Sequence, residues 1–177
     1  MGVGSARQAS VARAIASASA FVQGRLSFQL SDIALVTRPR QIFHTDFDAD
    51  RVATFEIVRS RSQDGQAQIA DARPAPRFHA EVPEPRAGLR SGHIPNSLNV
   101  PVSLLTEAGQ MKSPAELARL FADRGLALDK PIVTSCGSGI TASTLALALE
   151  LAGAGDVAVY DGSWAEWGSR KDAEIEK

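Results

Sequence analysis

The spacing of apolar positions changes several times along the chain, and each change marks an element. In "DADRVATFEIVRSRSQDG" (48–65), Val52, Phe55, Ile57 and Val58 roughly share a face at helical spacing. Asp48 or Asp50 is placed to cap that helix, and Asp64-Gly65 to stop it. "AQIADAR" (67–73) is a short apolar run and predicts a buried strand. "PAPRFHAEVPEPRAGLRSGHIPN" (74–96) is rich in Pro and Arg, and its X-Pro steps keep much of it extended. "SLNVP" (97–101) predicts a second strand. "SPAELARLFADRG" (113–125) carries a full set of helix signals: Ser113 at the N-cap, Pro114 at the first turn, Glu116 three residues after the cap, and Gly125 at the end. "PIVTSC" (131–136) predicts a strand, "SGITASTLALALELAG" (138–153) a helix, "DVAVYDG" (156–162) another strand, and "SWAEWGSR" (163–170) a terminal turn or short helix. The helix over 140–152 is apolar nearly all round and is expected to be deeply packed. Strands alternating with helices predict an α/β fold with a mainly parallel sheet covered on both faces.

Residues 1–45 break this pattern. They are rich in Ala, Ser and Gly, carry Arg7, Arg13 and Arg25, and reach their first acidic residue at Asp32. Two readings stand: a disordered or partly helical extension, or a targeting segment within 1–30, since Arg-rich, Ser-rich and acid-poor composition describes an organelle transit peptide. The domain is expected over 46–177, with a cytoplasmic location, or a mitochondrial one under the second reading.

Composition narrows the function classes. The chain has 177 residues, 44% hydrophobic and 22% charged, enough for one domain with a real core. A net charge of −1 gives no basic field for nucleic acid. No apolar run reaches the roughly 18 residues of a membrane-spanning helix. One Cys and three His leave no internal disulfide and no thiol-rich metal site. Neither a metal nor a cofactor is expected.

The single cysteine, Cys136, ends a strand and precedes Gly137-Ser138-Gly139 and a helix. Ligands of open α/β sheets sit at the carboxyl ends of strands. A glycine turn there forms a nest of inward N–H groups, and the helix N-terminus adds partial positive charge. Both lower a thiol pKa, so position alone makes Cys136 an activated thiol. Other readings compete. A free Cys is often buried and inert. A Walker-type phosphate loop needs a Lys after its second Gly, and none follows Gly139. Gly137, Gly139 and Ala142 spell a dinucleotide fingerprint with Asp161 downstream, but the strands that continue such a fold are missing. A cysteine phosphatase needs an Arg where Ala142 stands.

Five motifs carry a resemblance over about 100 residues: "DAR" (71–73), "RFHAEVPEPRAG" (77–88), "GHIPNSLNVP" (92–101), "TSCGSGIT" (134–141) and "YDGSWAEW" (160–167). They are similar to the rhodanese family, and more narrowly to the catalytic C-terminal domains of tandem 3-mercaptopyruvate sulfurtransferases. The resemblance implies a rhodanese-like sheet of about five strands. It also implies transfer of sulfur from 3-mercaptopyruvate, or thiosulfate, through a persulfide on Cys136 to a small or thioredoxin-like thiol, or to cyanide. It assigns Ser138 to proton transfer, Arg77 and Arg86 to the substrate carboxylate and keto oxygen, and the loop N–H groups of Gly137, Ser138, Gly139, Ile140 and Thr141 to the sulfur. The uncharged loop is the variant associated with mercaptopyruvate, whereas thiosulfate-preferring relatives carry basic residues there.

Each assignment has a plainer counterpart. Ser138 could merely cap the helix, and Arg77 and Arg86 could be solvated. His93 is expected to be structural, Asp71 and Asp161 to brace loops, and Trp164 and Trp167 to pack the C-terminus, with Trp164 a candidate pocket wall. Two departures stand out. Family enzymes carry a first, Cys-lacking rhodanese domain that supplies an Asp and a His, and residues 1–45 are too short to be it. The expectation is therefore a catalytic half, with a partner-binding or sulfur-carrier module as the alternative, and association through the face such a domain would cover. Asn96 replaces a usual Gly, and Asn tolerates the left-handed conformation.

Overall fold

The computed structural model describes residues 47–177. The extension and targeting segment expected within 1–45 lie outside the described residues. Seven strands and five helices follow in chain order: β1 (Val52–Ala53), α1 (Phe55–Asp64), β2 (Gln68–Asp71), α2 (Ala75–Phe78), β3 (Ser97–Asn99), β4 (Thr106–Glu107), β5 (Gln110–Met111), α3 (Pro114–Asp123), β6 (Ile132–Ser135), α4 (Ile140–Leu151), β7 (Val157–Tyr160) and α5 (Ser163–Trp167). Five strands form one parallel sheet in the order β1-β7-β6-β2-β3. β4 and β5 make a separate antiparallel pair.

Successive strand residues point to opposite faces, and this splits the core in two. Ala70, Ile132 and Val157 face a cluster with Leu117 and Phe121 of α3 and Leu145 and Leu149 of α4. Ile69, Val133 and Tyr160 face Phe55 and Val58 of α1 and Trp164 and Trp167 of α5. Cys136 belongs to the first cluster, one residue beyond β6.

The sheet and the helix at 113–125 match expectation. Ser113 and Glu116 form a reciprocal capping box, in which the Glu116 carboxylate accepts the Ser113 N–H at 2.9 Å. The Ser113 hydroxyl, and after it that N–H, hold the Glu116 carboxyl below its usual range. Other expectations need correction. The segment 48–64 is not one helix. A 3₁₀ turn over Ala49–Arg51 follows Asp48, then Val52–Ala53 pairs with β7, and Thr54 caps a helix beginning at Phe55. Backbone pairing at the sheet edge takes Val52 out of the helical face, and Ile57 is left 45% exposed. Within the Pro-rich loop, Ala75–Phe78 is helical, because the early prolines give up N–H groups that a first turn leaves unbonded anyway. α4 is buried on one side only: Ile140, Leu147 and Leu151 are 77%, 52% and 46% exposed. A surface-layer helix has neighbours on its sheet side alone, whatever its composition.

Asn96 adopts φ +59°. Its side-chain amide donates to Ser62 O at 2.8 Å, so this turn is built without a glycine.

Candidate active site

Three elements build the site: the loop after β6, the start of α5, and the segment after β2. The loop is held from beneath by Ser163, which is fully buried with φ +47°. A hydroxyl has one proton and two lone pairs. The Ser163 oxygen accepts the N–H groups of Cys136 and Gly139, both at 3.1 Å. Its proton has two acceptors within reach, Tyr160 O at 2.8 Å and Cys136 Sγ at 3.9 Å. α5 grips the loop again through its own N–H groups: Trp164 donates to Cys136 O at 2.9 Å and Ala165 to Gly137 O at 3.0 Å.

This clamp orients the loop. A trans peptide holds its N–H opposite its C=O. With the carbonyls of Cys136 and Gly137 drawn to α5, the following N–H groups turn away from it. The Ser138 N–H accordingly donates to Cys136 Sγ at 3.4 Å. The Gly139 N–H is directed to Ser163 instead. Gly139 has φ +87°, and a β-carbon there would lie 2.9 Å from Asp161 O, so the close approach requires glycine.

Cys136 is 1% exposed. Burial pushes its thiol pKa up. The Thr141 hydroxyl, the N–H groups of Ser138 and Ala142 and the Ser163 hydroxyl pull it down and prevail, leaving it below the ordinary value. A lowered acid pKa means that the thiolate persists to lower pH. The rate of Cys136 alkylation by iodoacetamide should therefore reach half its plateau at a pH below that of a free cysteine. Thr141→Val removes one bond that favours the thiolate and should move that midpoint upward. An unmoved midpoint would take Thr141 out of thiolate stabilisation.

In front of the loop lies a cleft of about 480 Å³, lined by Arg77, Glu84, Pro85, Arg86, Leu89, Gly137, Ser138 and Ala165. That volume suits a small molecule. Its far wall hangs on a buried ionic chain. Asp71, at the end of β2, accepts Arg73 Nε at 2.9 Å and Nη2 at 2.7 Å. Arg73 Nη1 donates to Glu84 at 3.0 Å and Nη2 to Gly92 O at 2.9 Å. Its guanidinium also lies 4.3 Å from the Trp164 ring centroid. Glu84 in turn accepts Arg77 Nη2 at 2.5 Å. Arg77 thereby lies over the loop, with Nη2 3.1 Å from where a β-carbon on Gly137 would be. Arg86 is exposed and makes no ion pair among the described residues.

The expected site residues are thus partly gathered. Arg77, Arg86, Gly137 and Ser138 line one cleft, with Cys136 buried at its loop and Thr141 behind the sulfur. The Ile140 side chain turns out to solvent. Trp164 is fully buried, donates its indole N–H to Arg90 O at 2.9 Å, and does not line the cleft. His93 stacks on Phe78 and bonds Phe78 O at 3.0 Å through Nδ1, a structural role. Sequence reasoning missed Ser163 and Glu84. The signal for Glu84 was a carboxylate between two arginines in "RFHAEVPEPR"; nothing local marked Ser163.

Comparisons with known proteins bear on this arrangement. The rhodanese-like domain model matches residues 54–170. The 3-mercaptopyruvate sulfurtransferase of Escherichia coli is 45% identical over 157 residues, covering 86% of this chain and 56% of that protein. The mouse 3-mercaptopyruvate sulfurtransferase is 44% identical, covering 75% of this chain and 45% of its own length. Another relative, from Arabidopsis thaliana, is a mitochondrial thiosulfate/3-mercaptopyruvate sulfurtransferase, 43% identical over 135 residues. Among solved structures, an Escherichia coli 3-mercaptopyruvate sulfotransferase of rhodanese fold superposes with a TM-score of 0.62 at 44% identity, over 74% of this chain and 48% of that one. The chain spans about half the length of the curated relatives it matches. A five-stranded parallel sheet with a cysteine loop at the end of its central strand, matched by the family model over most of the described residues, places the chain in the rhodanese-like family.

Proposed function

We propose that the chain is a sulfurtransferase that takes sulfur from 3-mercaptopyruvate as a persulfide on Cys136. The observation that carries this reading is a thiol with a lowered pKa, held by N–H and hydroxyl donors at the foot of a cleft bearing Arg86, an arginine with no ion pair among the described residues. In the first step the Cys136 thiolate attacks the donor's sulfur. A sulfur–sulfur bond forms, the sulfur–carbon bond breaks, and its electron pair leaves on carbon as pyruvate enolate. That carbon is reduced as the two sulfurs are oxidised to the persulfide level, and the enolate takes the proton given up by the donor's thiol to become pyruvate, leaving Cys136 as a persulfide anion. Ser138 passes that proton in this reading, which its position on the cleft wall supports. In the second step a thiolate or cyanide attacks the outer sulfur, and the Cys136 thiolate leaves. The Ser138 N–H and the Thr141 hydroxyl favour the anionic sulfur in both steps.

The donor assignment follows from charge. No side chain of the 137–141 loop is charged. Among the described residues Arg86 is the cleft cation without an ion pair, and its guanidinium suits the planar geometry of a single carboxylate. A thioredoxin-like protein or a small thiol suits the acceptor role, because the sulfur must be reached by a second nucleophile.

The test is turnover with 3-mercaptopyruvate and cyanide, followed by pyruvate and thiocyanate. Both products in equal amounts are expected, and faster than with thiosulfate. Folded protein yielding neither would overturn the reading. Arg86→Ala should raise KM for 3-mercaptopyruvate by roughly tenfold or more, with a smaller change in kcat. An unchanged KM would remove Arg86 from carboxylate recognition.

A further inference from the structure

Three ionisable side chains line the cleft: Arg77, Glu84 and Arg86. Two of them cancel. The Glu84 side chain is 2% exposed and receives Arg77 through Nη2 at 2.5 Å and Nε at 3.3 Å, while also holding Arg73 at 3.0 Å. In the chain Asp71–Arg73–Glu84–Arg77, two carboxylates balance two guanidiniums. Arg86 stands outside it, so among the described residues the side chains lining the cleft carry one net positive charge beside the Cys136 sulfur. Without the Glu84 charge they would carry two on the same cleft, the half-buried Arg77 and the exposed Arg86. The half-buried Arg77 charge is screened less than one on an open surface.

We infer that Glu84 determines donor specificity: by neutralising Arg77 beside Arg86, it sets the cleft to one net cation and favours a monoanionic sulfur donor over a dianionic one. The inference rests on the reading of this cleft as the donor site. It gives Glu84 a role distinct from bracing. A brace lowers the affinity of every anion alike when weakened, whereas a charge-setting group changes the ratio between anions of different charge. Glu84→Gln keeps the side-chain shape and a carbonyl oxygen for Arg73 and Arg77 while removing the negative charge.

The experiment measures how well pyruvate and sulfate protect Cys136 from iodoacetamide in the full chain, at constant ionic strength. Neither anion needs to react, so the readout is independent of turnover. In Glu84→Gln, sulfate affinity relative to pyruvate should rise roughly tenfold or more. Glu84→Asp, which keeps the charge, should retain the wild-type ratio. A ratio unchanged in Glu84→Gln, with both affinities falling together, would overturn the proposal and leave Glu84 a brace. Should Glu84→Gln fail to fold, the wild-type ratio decides: pyruvate protecting at least as well as sulfate fits one net cation, and a tenfold preference for sulfate contradicts it. Persulfide formation with an unchanged ratio sinks this inference alone. Protection by neither anion sinks the cleft as an anion site and the proposed function with it.

Discussion

Cys136→Ser should abolish sulfur transfer, with turnover falling at least about 10³-fold, as expected when a nucleophile is removed. The reason is chemical rather than structural. A serine hydroxyl at this position is not ionised near neutral pH and forms no persulfide. Its size is close to that of the thiol, and it can still accept the Ser138 N–H that now reaches Sγ. Stability should stay within about 1 kcal/mol of the parent chain by urea unfolding. The pair of measurements separates loss of chemistry from loss of fold. Turnover that survives in a folded serine variant would place the chemistry elsewhere.

Arg73→Leu should have the largest effect on stability. Arg73 is 1% exposed and bonds Asp71, Glu84 and Gly92 O at once. Removing it leaves buried Asp71 without its guanidinium partner and buried Glu84 with Arg77 alone. Breaking a buried pair by deleting one partner costs about 3–5 kcal/mol. That is a large share of the roughly 5–15 kcal/mol that holds a domain folded. The melting temperature should fall by roughly 10 °C or more. A variant as stable as the parent at neutral pH would show that the ionic chain is not what fixes the cleft's far wall.

The strand and helix pattern was legible wherever an element is decided by its own residues. Ser113, Pro114 and Glu116 announce their helix because capping is local. The Cys136 loop was legible because a strand, a glycine turn and a helix follow one another directly. What escaped depends on residues far apart in the chain. Val52–Ala53 is a strand only because β7, more than a hundred residues later, pairs with it. Ser163 reaches Cys136 across 27 residues, and its left-handed backbone is stabilised by the two N–H groups it receives. Glu84 was not singled out within its Pro-rich loop. It is buried because Arg73 and Arg77 converge on it. The outward face of α4 escaped for the opposite reason: its composition is that of a buried helix, but nothing among the described residues covers Ile140, Leu147 or Leu151.

The central claim is that Cys136 carries sulfur taken from a small donor. The most direct measurement is intact-protein and peptide mass spectrometry after incubation with 3-mercaptopyruvate and no acceptor. The account predicts that the chain gains the mass of one sulfur atom, that the added mass maps to the peptide containing Cys136, and that cyanide removes it. A folded chain whose Cys136 is open to iodoacetamide but gains no sulfur from the donor would contradict it.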